Sequence, residues 1–129
     1  MREGIGRYRG KRIDNGEWVE GNYVYDMDKH FILTKETSRD FRLGWFEVDP
    51  ATVGESTGHP DGYYEGDILS NIAGQRFVVE FDEQFCSFKL LSVDADECGM
   101  KTYLPLCSVD TWTLEGNRID DPELLKEQP

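Results

Sequence analysis

The chain has 129 residues, with 14 Lys and Arg against 26 Asp and Glu, a formal net charge of −12 and a pI near 4.5. So acidic a balance repels phosphate backbones and argues against general nucleic-acid binding, and no apolar run approaches the ~20 residues of a membrane span. Cys86, Cys98 and Cys107 lack C-x-x-C spacing and form neither a disulfide framework nor a zinc motif.

Seven Phe, six Tyr and three Trp supply the bulk for one modest core. The reading is therefore a single domain over 1–129. The first residues lack the apolar stretch of a signal peptide, which places the protein in the cytoplasm.

In chain order, residues 5–13 carry Tyr8 among basic residues and predict a strand at a sheet edge. Asn15-Gly16 predicts a type I′ turn, because both positions tolerate positive φ. The returning strand over 18–25 is rich in β-formers, and Gly21 within it marks a bulge or a close crossing. Residues 26–29 turn, 30–34 form a short strand, and 35–40 are a polar loop. Over 41–48 the period of two carried by Phe41, Leu43 and Trp45 shifts at residues 44–46, the mark of a bulge. Asp49-Pro50-Ala51-Thr52-Val53-Gly54 predicts one helical turn, capped by Asp49, opened by Pro50 and closed by a left-handed Gly54.

The chain is organised around a hairpin of residues 63–69 and 77–82, whose connector holds Gly74 for a left-handed position. Alternation turns Phe77, Val79 and Phe81 to a core and Val78, Glu80 and Asp82 mostly to water. Residues 85–91 continue the meander with Cys86, Phe88 and Leu90 inward. An acidic loop follows at 94–99, then strands at 100–104, stopped by Pro105, and at 109–114. Gly116-Asn117 turns the chain into a second Asp-Pro helical opening at Asp121-Pro122. The fold class is mainly β, a small SH3-like barrel or meander of about seven to nine strands with one-turn helices; the alternative is α+β.

Little in the chain carries chemistry. His30 and His59 have no patterned Cys, Asp or Glu partner at metal spacing. Gly-x-Ser-x-Gly, a phosphate loop and a dinucleotide fingerprint are absent. Glu65, Asp67, Asp82 and Glu83 would gather at one edge if the hairpin closes in register, a cluster able to hold Mg²⁺ or Ca²⁺. The competing reading makes Asp67 a turn anchor that accepts backbone N–H groups, with the others solvated. Trp18, Tyr23, Tyr25, Trp45, Tyr63, Tyr64 and Trp112 could stack on bases, but rings at alternating positions more often fill a core or an interface. Arg7, Arg9, Lys11 and Arg12 make a basic strand, the route for a nucleic-acid alternative. The candidate binding residues are Trp18, Tyr63, Tyr64, Glu65, Asp67, Asp82 and Glu83. No catalytic residue, metal ligand or cofactor is assigned.

Six stretches in one order resemble the YopX family of phage and prophage proteins. They are Tyr8-Arg9-Gly10-Lys11; Gly16-Glu17-Trp18-Val19-Glu20-Gly21; residues 48–54 running on to Thr57-Gly58; Tyr64-Glu65-Gly66-Asp67-Ile68-Leu69; Val79-Glu80-Phe81-Asp82-Glu83; and Gly116-Asn117 before Asp121-Pro122-Glu123-Leu124-Leu125. Residues 94–99 match no part of that pattern. The resemblance implies a phage or prophage origin, a compact domain and self-association, and it brings no catalytic residue. The expectation is a non-enzymatic protein-binding or assembly module with an acidic surface in the cytoplasm of a bacterial host. Its partner would be an unidentified protein or a second copy of itself, with neither nucleic acid nor membrane. The alternatives are nucleic-acid binding through the basic strand and a metal-dependent enzyme built on the four carboxylates.

Overall fold

The computed structural model describes residues 8–34, 44–59, 61–95, 99–101, 103–106 and 112–126. Its backbone is mainly β, as expected, with ten short strands and two single 3-10 turns among the described residues. The chain divides into two compact units, Met1–Ser56 and Thr57–Pro129. Each holds one five-stranded antiparallel sheet, and among the described residues neither sheet closes into a barrel. No helix among those residues is long and apolar enough to cross a membrane.

The first unit contains β1 (Tyr8–Lys11), β2 (Trp18–Asp26), β3 (Lys29–Leu33), β4 (Trp45–Glu47) and β5 (Gly54–Glu55), in the order β4-β3-β2-β1-β5. The long β2 serves two partners, pairing β1 through residues 18–21 and β3 through residues 22–26. Gly21 stands where it changes partner, and a Cβ there would lie 2.0 Å from the Leu33 carbonyl oxygen. The close crossing read from the sequence is thus a steric requirement for glycine. β1 is not an edge strand, because β5 pairs along its other side. A single bridge from Arg12 to Val48 and a 3.0 Å hydrogen bond from Ile13 N to Glu47 O pin the curled sheet at one corner.

The turn chemistry differs from the sequence expectation. Asn15-Gly16 belongs to a four-residue loop closed by Arg12 N donating to Glu17 O at 2.9 Å, and there only Gly16 has positive φ. The two-residue connection lies instead between Asp26 and Lys29, with Met27 at φ 50° and Asp28 at φ 64°. Two residues between paired strands demand that backbone whatever side chains occupy it, because only the primed turns match strand twist. At Asp49 the cap is as expected, its Oδ1 accepting from Ala51 N at 3.0 Å over a 3-10 turn at Pro50–Thr52. Gly54 does not close that turn; Val53 is extended and Gly54 enters β5 opposite Arg9.

The second unit contains β6 (Asp67–Ser70), β7 (Arg76–Asp82), β8 (Ser87–Ser92), β9 (Tyr103–Pro105) and β10 (Thr113–Asn117), in the order β10-β6-β7-β8-β9. β6 to β9 form the meander, and β10 returns beside β6 in the manner of a Greek key. Tyr63, Leu69, Phe77, Val79 and Leu90 make the core, with half-buried Phe88, Leu104, Leu106 and Trp112 packed on it. Three expectations are corrected here. Val78, expected outside, is buried, and Phe81, expected inside, is 38% exposed near the end of its strand. Cys86 is not core: β8 begins only at Ser87, and Cys86 sits exposed in the preceding turn at φ 51°. Gly116-Asn117 lies within β10, past a register shift after Leu114, and the turn follows at residues 118–120. Cys98 and Cys107 lie outside the described residues.

Candidate functional site

The turn before β6 is built to hold itself. The Asp67 side chain is buried, and its Oδ2 accepts from Tyr64 N at 2.8 Å while Asp67 N donates to Tyr64 O at 3.0 Å. Gly66, at φ 92°, donates to Val79 O and accepts from Arg118 N. The positive φ demands glycine at 66, and a Cβ there would stand 3.1 Å from Arg118 Nε, close enough that the Arg118 side chain would have to give way. That guanidinium reaches Glu65 at 3.9 Å. Tyr63 and Tyr64 are buried. The Tyr63 hydroxyl lies 3.2 Å from Trp112 O and 3.3 Å from Asp61 Oδ2, and burial followed by the Asp61 charge pushes its phenol pKa up. His59, also buried, accepts from Asp61 N through Nδ1 at 3.0 Å and packs 4.7 Å from the Tyr63 ring. Tyr63, Tyr64 and Asp67 of the candidate set therefore brace this unit from within.

Asp82 and Glu83 lie at the far end of β7. Burial pushes the Asp82 carboxyl up, but hydrogen bonds from Lys89 Nζ at 3.2 Å, Phe85 N at 3.4 Å and Gln84 N at 3.0 Å outweigh it and leave the group below the usual carboxylate range. Lys89 also lies 3.9 Å over the Tyr103 ring. Glu83 is exposed. Asp67 and Asp82 thus serve two different turns, and among the described residues no three His, Cys, Asp or Glu side chains are placed to hold a metal ion.

The same hairpin end carries a feature that sequence reasoning missed. Phe81 and Phe88 meet edge-on across the strands at 5.2 Å, and Phe85 stands 72% exposed in the turn between them. The available signal was Asp82-Glu83-Gln84 directly before Phe85, a turn that runs two residues further than the alternation suggested.

In the first unit, alternation divides the basic strand. Arg9 and Lys11 share a face with Trp18, their cationic groups 4.7 and 5.6 Å from its ring centroid. Arg12 falls on the opposite face. It grips Asp14 through two hydrogen bonds of 2.9 and 2.6 Å and lies 4.3 Å over Phe46. That hydrogen-bonded pairing raises the Arg12 pKa and lowers that of Asp14. Arg7 lies outside the described residues.

Charge is distributed as unevenly as the rings. Residues 1–56 carry nine Lys and Arg against eleven Asp and Glu, a net of −2, and residues 57–129 carry five against fifteen, a net of −10. A shallow hollow of about 280 Å³ opens over Phe77 and Leu104. Two of its polar side chains are already joined, Asn71 Nδ2 donating to Gln75 Oε1 at 2.8 Å. No protein-family model matches this chain, and no curated protein matches it as a relative.

Proposed function

We propose that the chain is a YopX-like protein of phage or prophage origin with a non-enzymatic role, a binding or assembly module that offers an acidic surface to a cationic protein in the host cytoplasm. The observation that carries this reading is the net charge of −10 on residues 57–129, where five cations cannot neutralise fifteen carboxylates. Such a surface attracts a basic partner over a Debye length and repels nucleic acid. The family assignment itself rests on the six motifs alone. Two of them fall on braced turns in this chain: the Glu65-Gly66-Asp67 turn beside Arg118, and the Asp49-Pro50 cap. Self-association, which the resemblance implies, would fall to the nearly neutral first unit, because like charges oppose pairing of the second.

Fluorescence anisotropy with labelled oligolysine and labelled duplex DNA at low salt tests the reading. Oligolysine should bind, with an affinity that falls steeply as salt is added, and DNA should not. A nucleic-acid role has one observation in its favour, the Arg9–Trp18–Lys11 cluster. DNA binding that disappears in an Arg9→Ala, Lys11→Ala double variant, with oligolysine left unbound, would replace the proposal with that alternative.

A further inference from the structure

We propose that the β7–β8 hairpin end is the docking point for a cationic, amphipathic segment of the partner, a step that rests on the protein-binding reading above. The turn holds an aromatic ring outward on a braced backbone. Asp82 Oδ1 accepts from both Gln84 N and Phe85 N, and its Oδ2 is tied to Lys89 Nζ. Cys86 completes the turn at φ 51°, a left-handed conformation that non-glycine residues rarely adopt. The result is Phe85 projecting into solvent, with the Phe81–Phe88 pair beside it.

A ring carried on a braced backbone costs only its two side-chain torsions to order on binding, which suits an aromatic anchor. The charge around it selects the occupant. Lys89 stands opposite Glu80 in register but turns to Asp82, so its charge is already matched. Glu83 is exposed in the same turn as Phe85, two residues before it, with no ion pair among the described residues. An exposed ring with Glu83 in its turn, on a unit of net charge −10, fits a segment whose apolar side chains are flanked by Lys or Arg. A second copy of this unit would bring fifteen further carboxylates against the same surface and is disfavoured.

The test compares a labelled amphipathic Leu/Lys peptide with labelled oligolysine. The wild-type protein should bind the Leu/Lys peptide more tightly, and Phe85→Ser should weaken that binding about tenfold while oligolysine affinity stays unchanged. Phe85→Leu should recover most of the loss. Ile72→Ser, which removes a still more exposed apolar side chain from the β6–β7 turn, should change neither affinity. Circular dichroism on each variant guards against unfolding. If Phe85→Ser leaves Leu/Lys binding intact, the docking point is overturned although the acidic-surface reading stands. If the wild type binds neither peptide, the broader reading fails and takes this one with it. A wild-type dimer that Phe85→Ser dissociates would overturn the proposal in favour of a second copy.

Discussion

The two units differ in how far their carboxylates outnumber their cations, by two in the first and by ten in the second. In the first, cations and carboxylates nearly balance, and three of the described cations lie against rings, Arg9 and Lys11 on Trp18 and Arg12 on Phe46, with Arg12 also gripping Asp14. Stacked in this way they hold the sheet and present little free charge to solvent. In the second, the few cations are drawn to particular carboxylates, Lys89 to Asp82 and Arg118 to Glu65, and the acidic majority is left over. A chain-wide charge of −12 therefore describes neither part. What it records is a nearly neutral sheet and a strongly acidic one, and only the second has surplus charge to offer a partner.

The contrast can be broken most sharply in the first unit. Gly21→Ala should cost about 3 kcal/mol or more in urea denaturation, because the new Cβ meets the Leu33 backbone carbonyl and cannot be relieved by a rotamer change. In the second unit the equivalent blow is a cavity. Leu90→Ala, at a site with no exposure, should cost about 3 kcal/mol. Next in size is Asp67→Ala, which strands the Tyr64 N–H and should cost about 2 kcal/mol, with Asp67→Asn recovering part of it because the amide oxygen can still accept.

Smaller effects come from titration. Asp14 and Asp82, one in each unit, both have folded-state pKa values below the ordinary carboxylate range. Their contribution is present above the unfolded value near pH 4 and is lost as pH falls through the depressed folded values. Asp82→Asn should therefore flatten the acid limb of melting temperature against pH. Tyr63 acts in the other direction: its raised phenol pKa stabilises the fold below about pH 10 and loses that contribution as pH rises through the folded value. Tyr63→Phe should flatten the alkaline limb. The smallest expected effect is that of salt, which screens the self-repulsion of residues 57–129 and should raise stability by about 1 kcal/mol or less.

Much of the architecture was legible from local pattern. The 77–82 strand, the Asp-Pro turns and the crossing at Gly21 each depend on a few adjacent residues, and each was found. What escaped depended on connections the sequence does not display. The primed turn fell on Met27-Asp28 because loop length, not residue preference, fixed it. Cys86 read as core because alternation was extended two residues too far back into a turn. Carboxylates that looked like one cluster serve two separate turns, since Asp67 folds back on Tyr64 and Asp82 reaches to Lys89. The exposure of Phe85 follows from the same misplaced strand start. Both errors come from a strand start placed two residues early, at 85 and not 87, because period-two alternation does not say where a strand begins.

The return of β10 to β6 has a kinetic consequence. Thr113 must find Ser70, forty-three residues earlier, before that side of the sheet is closed. During synthesis or refolding, β6 can pair with β7 long before its other flank is protected, and it then offers an open row of amide and carbonyl groups to any neighbouring chain. Crowded nascent polypeptides would be the hazard, and dilution or rapid release the remedy.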